Sequence, residues 1–138
     1  MMKKYLLEIV AGLVLSSICL FAYATDFVVV VNTKNTAGPI SKDQIAQSFL
    51  GSTNTFSPID LADGSPLRIE FYKTVAEKDP SQVRAIWSKL VFTGKARPPK
   101  QFATSEEVKK QVESDVNAIG YIEKSAVDAG VKVVYPAN

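Results

Sequence analysis

The residues best suited to chemistry in this sequence lie in one short segment, Asp63-Gly64-Ser65-Pro66-Leu67-Arg68. Gly64 permits a sharp turn, Ser65 is suited to cap a helix, and Arg68 follows about one helical turn later. Backbone N–H groups, a hydroxyl and a guanidinium would then meet at the positive end of a helix dipole. This combination predicts an anion-binding site formed by Gly64, Ser65 and Arg68.

The same residues also fit an ordinary helix start. In that interpretation Ser65 caps its own helix, and Arg68 is solvated or pairs with Asp63 or Glu70. Caps of this kind occur in most helical proteins, so spacing alone favours a cap over a ligand site. The sequence leaves both interpretations open.

A second polar turn, Phe92 to Lys95, is followed by Pro98-Pro99-Lys100. It lacks the spaced glycines of a P-loop, and its Gly-Lys pair follows a predicted helix instead of preceding one. We therefore expect a helix end and a rigid exposed loop here. The aromatic residues at helical spacing are expected in the core instead: Phe71, Tyr72, Trp87 and Phe92.

The first 24 residues are typical of a secretory signal peptide. The Lys3-Lys4 pair precedes an apolar run from Ile9 to Phe21, and Ala22-Tyr23-Ala24 gives a small-x-small cleavage pattern. The apolar run is shorter than the ~20 residues that span a bilayer, which favours cleavage over a membrane anchor. We therefore expect a mature periplasmic domain consisting of residues 25–138.

Composition argues against most enzyme classes. The chain has no His, which excludes imidazole bases and His-ligated zinc, and its one thiol, Cys19, is lost with the predicted signal peptide. The acidic residues show neither the spacing of an acid/base pair nor that of a metal loop. A formal net charge of +2 without a basic run disfavours nucleic acid as a partner. The sequence predicts a protein that is not an enzyme and has no metal or cofactor.

The elements that must position these residues alternate between strand and helix. The run Phe27 to Val31 is typical of a strand buried on both faces of a sheet. The other predicted elements are a helix at 42–50, a strand at 58–61, helices from 65, at 80–92 and from 105, and strands at 118–122 and 131–135. Residues 95–102 are expected to form a loop. The order predicts one α/β domain.

Helical periodicity predicts which side chains face the core. In the helix that begins at Ser65, the inward residues are Leu67, Phe71 and Val75, which places Arg68 off that face. In the helix at 80–92, the inward residues are Val83, Ile86, Trp87, Leu90 and Val91. Arg68 is thus expected to contribute little to folding.

Four segments resemble those of a known family in the same order. They are Ile45-Ala46-Gln47-Ser48-Phe49-Leu50-Gly51, Ser65-Pro66-Leu67-Arg68 with Phe71, Trp87 to Lys95 with Pro98-Pro99, and Asn117 to Ile122. Together they resemble small secreted proteins described as phosphate ABC transporter substrate-binding-like, of the periplasmic-binding-protein (PBP) domain family. The similarity spans nearly all of residues 25–138.

The resemblance implies a single periplasmic-binding-protein-like lobe, with a mixed β-sheet flanked by about four helices. It implies binding of phosphate or another small oxyanion, for transport or sensing, with a membrane transporter or sensor protein as partner. Full receptors of this type have two lobes, and their helix start resembles Ser-Gly-Thr with an Arg four residues earlier. Here Pro66, Leu67 and Leu61 stand at those positions, so weaker binding is expected. The alternative function is a ligand-free interaction module that docks on a membrane sensor or partner protein.

Overall fold

Residues 26–137, which are the residues described by this computed structural model, form five strands and four α-helices. The strands are β1 (Phe27–Asn32), β2 (Ser57–Leu61), β3 (Lys100–Phe102), β4 (Ala118–Glu123) and β5 (Val131–Tyr135). The helices are α1 (Lys42–Phe49), α2 (Pro66–Ala76), α3 (Pro80–Phe92) and α4 (Ser105–Ser114), with a short 3-10 turn at Lys124–Ala126. The predicted signal peptide, residues 1–24, lies outside the described residues.

The strands form one mixed sheet in the order β3-β2-β4-β1-β5. β2 runs parallel to β3 and to β4, whereas β1 runs antiparallel to β4 and to β5. A mixed sheet flanked by four helices is the architecture that the sequence predicts. No helix within residues 26–137 is long and apolar enough to cross a membrane.

Helices cover both faces of the sheet, and β4 shows how its residues are divided between them. Successive strand residues point to opposite faces. Tyr121 stacks on Phe71 of α2 with ring centroids 3.8 Å apart. A Cβ added to the neighbouring Gly120 would lie 2.7 Å from Val108 Cγ1 of α4. Helix α2 therefore lies on one side of the sheet and α4 on the other. α1 and α3 lie on the side of α2, because Phe49 of α1 packs against Phe71 with ring centroids 4.7 Å apart and accepts a hydrogen bond from Trp87 of α3.

Strand β1 is buried on both faces, as its uninterrupted run of valines predicts. Val29, Val30 and Val31 have no exposed surface, and Val28 is 5% exposed. β1 lies between β4 and β5, so both of its edges are also paired. Burial of such side chains contributes about 1.5–3 kcal/mol each, which makes this strand the centre of the core.

Strand β3 lies where the sequence predicts a loop. Residues 95–102 were expected to form a loop, but Lys100–Phe102 pairs in parallel with β2, with Ile59 opposite Lys100 and Leu61 opposite Phe102. The strand has only three residues and lies at the edge of the sheet. Its Lys-Gln-Phe sequence is too short and too polar to show period-2 alternation, so only the long-range pairing reveals it.

Candidate functional site

The segment between β2 and α2 forms a turn and a helix cap. The Ser65 N–H donates to the Ala62 carbonyl at 3.1 Å, and Gly64 adopts a φ of +84°. The Ser65 side-chain oxygen accepts a hydrogen bond from the Arg68 N–H at 3.5 Å, and Pro66 occupies the first turn. The cap interpretation of Ser65 is therefore present in the structure, while anion binding at this turn stays a prediction.

Arg68 is buried and paired with two carboxylates. It is 7% exposed, its Nε lies 3.5 Å from Asp60 Oδ1, and its Nη1 lies 3.1 Å from Asp63 Oδ1. Its guanidinium carbon also lies 5.0 Å from the centroid of the Tyr72 ring. The burial and pairing of Arg68 argue against the expectation that it contributes little to folding, which the unfolding of an Arg68 variant would test. Periodicity places Arg68 off the most apolar face of α2, but Asp60 on the neighbouring strand provides a partner that sequence spacing does not show.

Asp60 is the centre of this polar cluster. The residue is 1% exposed, and its carboxylate accepts hydrogen bonds from Tyr72 Oη at 2.6 Å, from Tyr121 Oη, and from the Leu61 N–H at 2.8 Å. Burial raises the pKa of Asp60 above its ordinary value, although the donors from the tyrosines and the charge of Arg68 act in the opposite direction. Burial also raises the pKa values of Tyr72 and Tyr121, so both phenols remain protonated donors.

A cavity of about 500 Å³ opens onto this cluster. Its polar lining consists of Asp60, Asp63 and Arg68, together with Arg84, Ser88 and Gln101. Gln101 Nε2 also donates to Asp63 Oδ1 at 3.4 Å. β2 and β3 are parallel and adjacent, so their carboxyl ends lie side by side at this cavity, the position where open α/β sheets bind ligands.

The three residues predicted from the sequence do not all face this cavity. Arg68 lines it, whereas Gly64 and Ser65 do not. Gly64 is exposed, and a Cβ added there would meet nothing within 4 Å. Gly64 and Ser65 therefore set the direction of the chain into α2. The charged groups beside the cavity come from β2, the turn before α2, α2 and α3, while β3 contributes the uncharged Gln101.

Two apolar residues at the rim of the cavity are exposed, in contrast to the prediction from the sequence. Phe92 and Val91 were expected in the core, but they are 92% and 52% exposed. Trp87, on the same helix, is 8% exposed, and its Nε1 donates to the Phe49 carbonyl at 3.2 Å. The last turn of α3 extends beyond the part of the helix that packs on the core, so its apolar periodicity continues without a surface to cover it.

The second polar turn ends α3 as predicted. Gly94 adopts a φ of +68°, and the Lys95 N–H donates to the Leu90 carbonyl at 3.0 Å. The loop that follows lines a groove of about 770 Å³ together with the loop at 52–57. Its basic lining residues are Lys95, Arg97 and Lys100.

The sequence analysis did not predict several residues of the cluster and the cavity as site residues. Tyr72 was assigned only to the core, and Tyr121 and Arg84 carried no signal for a site. Asp60 did carry one, because an acidic residue inside an otherwise apolar strand requires a partner when that strand is buried. Within residues 26–137, no group of three or more acidic or Cys side chains could hold a metal ion.

Comparisons with known proteins identify the fold. No protein-family profile and no curated protein matches the chain. One similar solved structure is assigned as a phosphate ABC transporter substrate-binding protein with bound phosphate, from Clostridium perfringens, with a TM-score of 0.63 and 21% identity. Another is an ABC-type phosphate transport receptor from Vibrio cholerae, with a TM-score of 0.62 and 17% identity.

Both alignments cover 78% of this chain, but only 43% and 45% of the two solved chains. The chain therefore has the fold of one part of these proteins and spans less than half of their length. The expectation of a single periplasmic-binding-protein-like lobe is confirmed at the level of the fold.

Proposed function

We propose that this chain is an exported solute-binding-like lobe that holds phosphate or another small oxyanion at the start of α2. The proposed site consists of Gly64 and Ser65, which direct the chain into α2, and of Arg68, with Arg84 as a second cation that lines the same cavity as Arg68. No catalytic role is part of the proposal. The fold neighbours are described as transport receptors, one of them with bound phosphate, and this similarity favours a binding function over an enzymatic one.

The observation that carries the proposal is the pairing of Arg68 with Asp63. The Asp63 side chain is 67% exposed, and its carboxylate lies 3.1 Å from Arg68 Nη1 at the cavity wall. An oxyanion that enters the cavity could take the place of this carboxylate on the guanidinium, because both present oxygen atoms with negative charge. Asp63 would then act as a tethered competitor of the ligand.

The same geometry predicts weak binding. Pro66 offers no N–H at the helix start, and the Arg68 N–H is already bonded to Ser65. Asp60 and Asp63 add negative charge beside the only cation of this turn. We expect dissociation constants of about 1 mM, far weaker than a site with several free N–H donors would give.

Isothermal titration calorimetry of residues 25–138 with phosphate, sulfate and acetate tests this proposal. Asp63→Asn should tighten oxyanion binding, since it removes the competing charge. Arg84→Gln should weaken it about tenfold or more, because a charge-assisted hydrogen bond contributes about 1.5–3 kcal/mol. Lys73→Ala, a change at an exposed position on α2, is the matched control and should leave binding unchanged.

Export rests on the N-terminal pattern. The expected mature protein begins at Thr25, after Ala22-Tyr23-Ala24. Intact-mass measurement on the protein isolated from the periplasm tests this start. A full-length mass, or lipid attached to Cys19, would contradict it.

The second candidate function is a ligand-free module that docks on a membrane sensor or partner protein. This function is favoured because Arg68 already forms ion pairs with two carboxylates of the chain, Asp60 and Asp63. The calorimetric experiment separates the two candidates. Absence of binding to all three anions at millimolar concentration, for the wild type and for Asp63→Asn, would reject the oxyanion proposal and leave this second function.

A further inference from the structure

One segment of the chain is basic and contains no acidic residue. Between Asp79 and Glu106 there are five basic residues, Arg84, Lys89, Lys95, Arg97 and Lys100, and neither Asp nor Glu. All five are exposed, and none forms an ion pair with another residue of the described range 26–137. The second half of α3 and the loop that leads to β3 therefore present positive charge that the segment itself does not neutralise.

Exposed apolar side chains lie within the same segment. Phe92 is 92% exposed and Val91 is 52% exposed at the end of α3. The turn at Gly94 then directs the chain away from the helix, so nothing in the described residues covers the Phe92 ring. An exposed aromatic side chain within a basic segment is unusual for a solvated surface but common at protein interfaces.

The segment also shapes two adjoining concave regions. The cavity of about 500 Å³ and the groove of about 770 Å³ share Trp87, Pro98 and Pro99 as lining residues. The two prolines form a rigid wall between the concave regions. Phe92 stands at the edge of the cavity, which Asp60 and Asp63 also line. In the groove, Lys95, Arg97 and Lys100 outnumber the single acidic lining residue, Asp115.

We propose that the surface formed by residues 89–100 docks an acidic segment of a partner protein that carries an apolar side chain against Phe92. Positive charge calls for a negatively charged partner. The exposed ring provides the apolar anchor on which binding energy typically concentrates. The residues that the test changes, Phe92, Lys95 and Arg97, are not oxyanion ligands in the proposed function, although Phe92 lines the same cavity, and the proposal does not depend on oxyanion binding.

Two other occupants fit this surface less well. A second copy of the chain, placed symmetrically, would bring the same basic residues face to face, which costs energy through like-charge repulsion. An anionic membrane would attract the charges, but a bilayer is broad and flat, whereas this surface is concave on both sides of Pro98 and Pro99. An extended polypeptide segment can enter both concave regions.

The test uses a fluorescently labelled short peptide of glutamate and aspartate residues interspersed with leucine and phenylalanine, titrated with the mature protein. We expect saturable binding that weakens as the salt concentration rises from about 0.05 M to about 0.5 M, since exposed charges are screened. Phe92→Ser should lower the affinity about tenfold or more, and Lys95→Glu/Arg97→Glu should abolish binding. The controls at exposed positions are the single reversal Lys42→Glu and the double reversal Lys42→Glu/Lys73→Glu, which lowers the net charge as much as the test variant does. Both should bind like the wild type.

Four results would overturn the proposal. They are the absence of peptide binding, equal binding by Phe92→Ser and the wild type, equal loss of binding in Lys42→Glu, and peptide binding that is weaker than binding to vesicles of phosphatidylglycerol and phosphatidylcholine. Sedimentation equilibrium of the protein alone adds a check on self-association. A dimer that dissociates in Phe92→Ser would be a fifth result against the proposal, because it would assign the surface to a second copy of the chain.

Discussion

Arg68 and Asp60 form an ion pair in the protein interior, with Arg68 Nε 3.5 Å from Asp60 Oδ1 and both residues less than one-tenth exposed. The Nε atom has no hydrogen-bond partner among the described residues, so charge attraction holds this end of the guanidinium. The carboxylate, by contrast, has three hydrogen-bond donors, from Tyr72, Tyr121 and the Leu61 N–H. The pair links α2 to β2, which gives Arg68 a structural role in addition to any ligand contact.

Removal of Arg68 should therefore destabilise the fold. Arg68→Ala leaves Asp60 buried without its cation, and breaking a buried ion pair in this way costs about 3–5 kcal/mol. Urea unfolding measures the loss as a lower midpoint. Lys73→Ala, on the exposed side of α2, should change the unfolding free energy by about 0.5 kcal/mol or less. Equal midpoints for the two variants would show that the Arg68–Asp60 pair contributes nothing to stability.

The pKa of Asp60 makes stability depend on pH. Burial raises this pKa above the ordinary value of 3.8, so the folded protein retains a proton that the unfolded chain has released. The unfolding free energy should then fall as pH rises from 3.8 through the raised pKa. Asp60→Asn cannot ionise and lacks this contribution, so the stability advantage of the wild type over the variant should shrink with rising pH.

Urea unfolding of both proteins across the acidic to neutral range measures this difference. Carbon-13 NMR of the Asp60 carboxyl group follows the same titration directly in the folded wild type. A stability difference that grows with pH, or a carboxyl titration below 3.8, would mean that hydrogen bonds outweigh burial.

Local signals in the sequence predicted most elements of the fold. The run of valines in β1, the Ser65-Pro66 helix start, and the helix ends near Gly51 and Gly94 all depend on a few adjacent residues. Such signals are short-range properties of backbone and side-chain type, so they can be identified without the fold. Strand β3 has none of them and escaped prediction.

The polar cluster could be predicted only in part. Asp60 and Tyr121 are 61 residues apart in sequence, and their contact depends on β2 and β4 being neighbours in the sheet. The sequence shows that Asp60 is unusual in an apolar strand, but it does not show which donors will reach it. The exposure of Phe92 likewise depends on where neighbouring elements end, which helical periodicity does not encode.

Trp87 and Phe92 lie on the same helix and should respond very differently to truncation. Trp87→Ala removes a buried ring and its hydrogen bond to the Phe49 carbonyl, which should cost about 3–5 kcal/mol. Phe92→Ala removes a ring that is 92% exposed and should change stability by about 0.5 kcal/mol or less. Thermal unfolding of the two variants checks the contrast. Similar losses would mean that Phe92 packs against the core after all.

Gly51 and Gly64 both adopt positive φ angles, of +76° and +84°, but their surroundings differ. A Cβ at Gly51 would lie 2.8 Å from Leu90 Cδ1 and 3.0 Å from Trp87 Cη2, whereas a Cβ at Gly64 would meet nothing within 4 Å. Gly64→Ala should therefore cost only the backbone strain, about 1–2 kcal/mol. Gly51→Ala should cost a further 1–3 kcal/mol or so, because the new methyl group overpacks the contact between α1 and α3.

Urea unfolding of the two glycine variants measures this difference. The double variant Gly51→Ala/Leu90→Ala separates the steric cost from the backbone strain, because truncation of Leu90 removes the closer of the two clashing side chains. If the contact is the cause, Leu90→Ala should destabilise the Gly51→Ala protein less than it destabilises the wild type, since neighbouring substitutions that share a contact are not additive. Additive losses, or equal losses for Gly51→Ala and Gly64→Ala, would attribute the cost at Gly51 to backbone strain alone. The glycine at the end of α1 would then be required for its φ angle and not for its contact with the third helix.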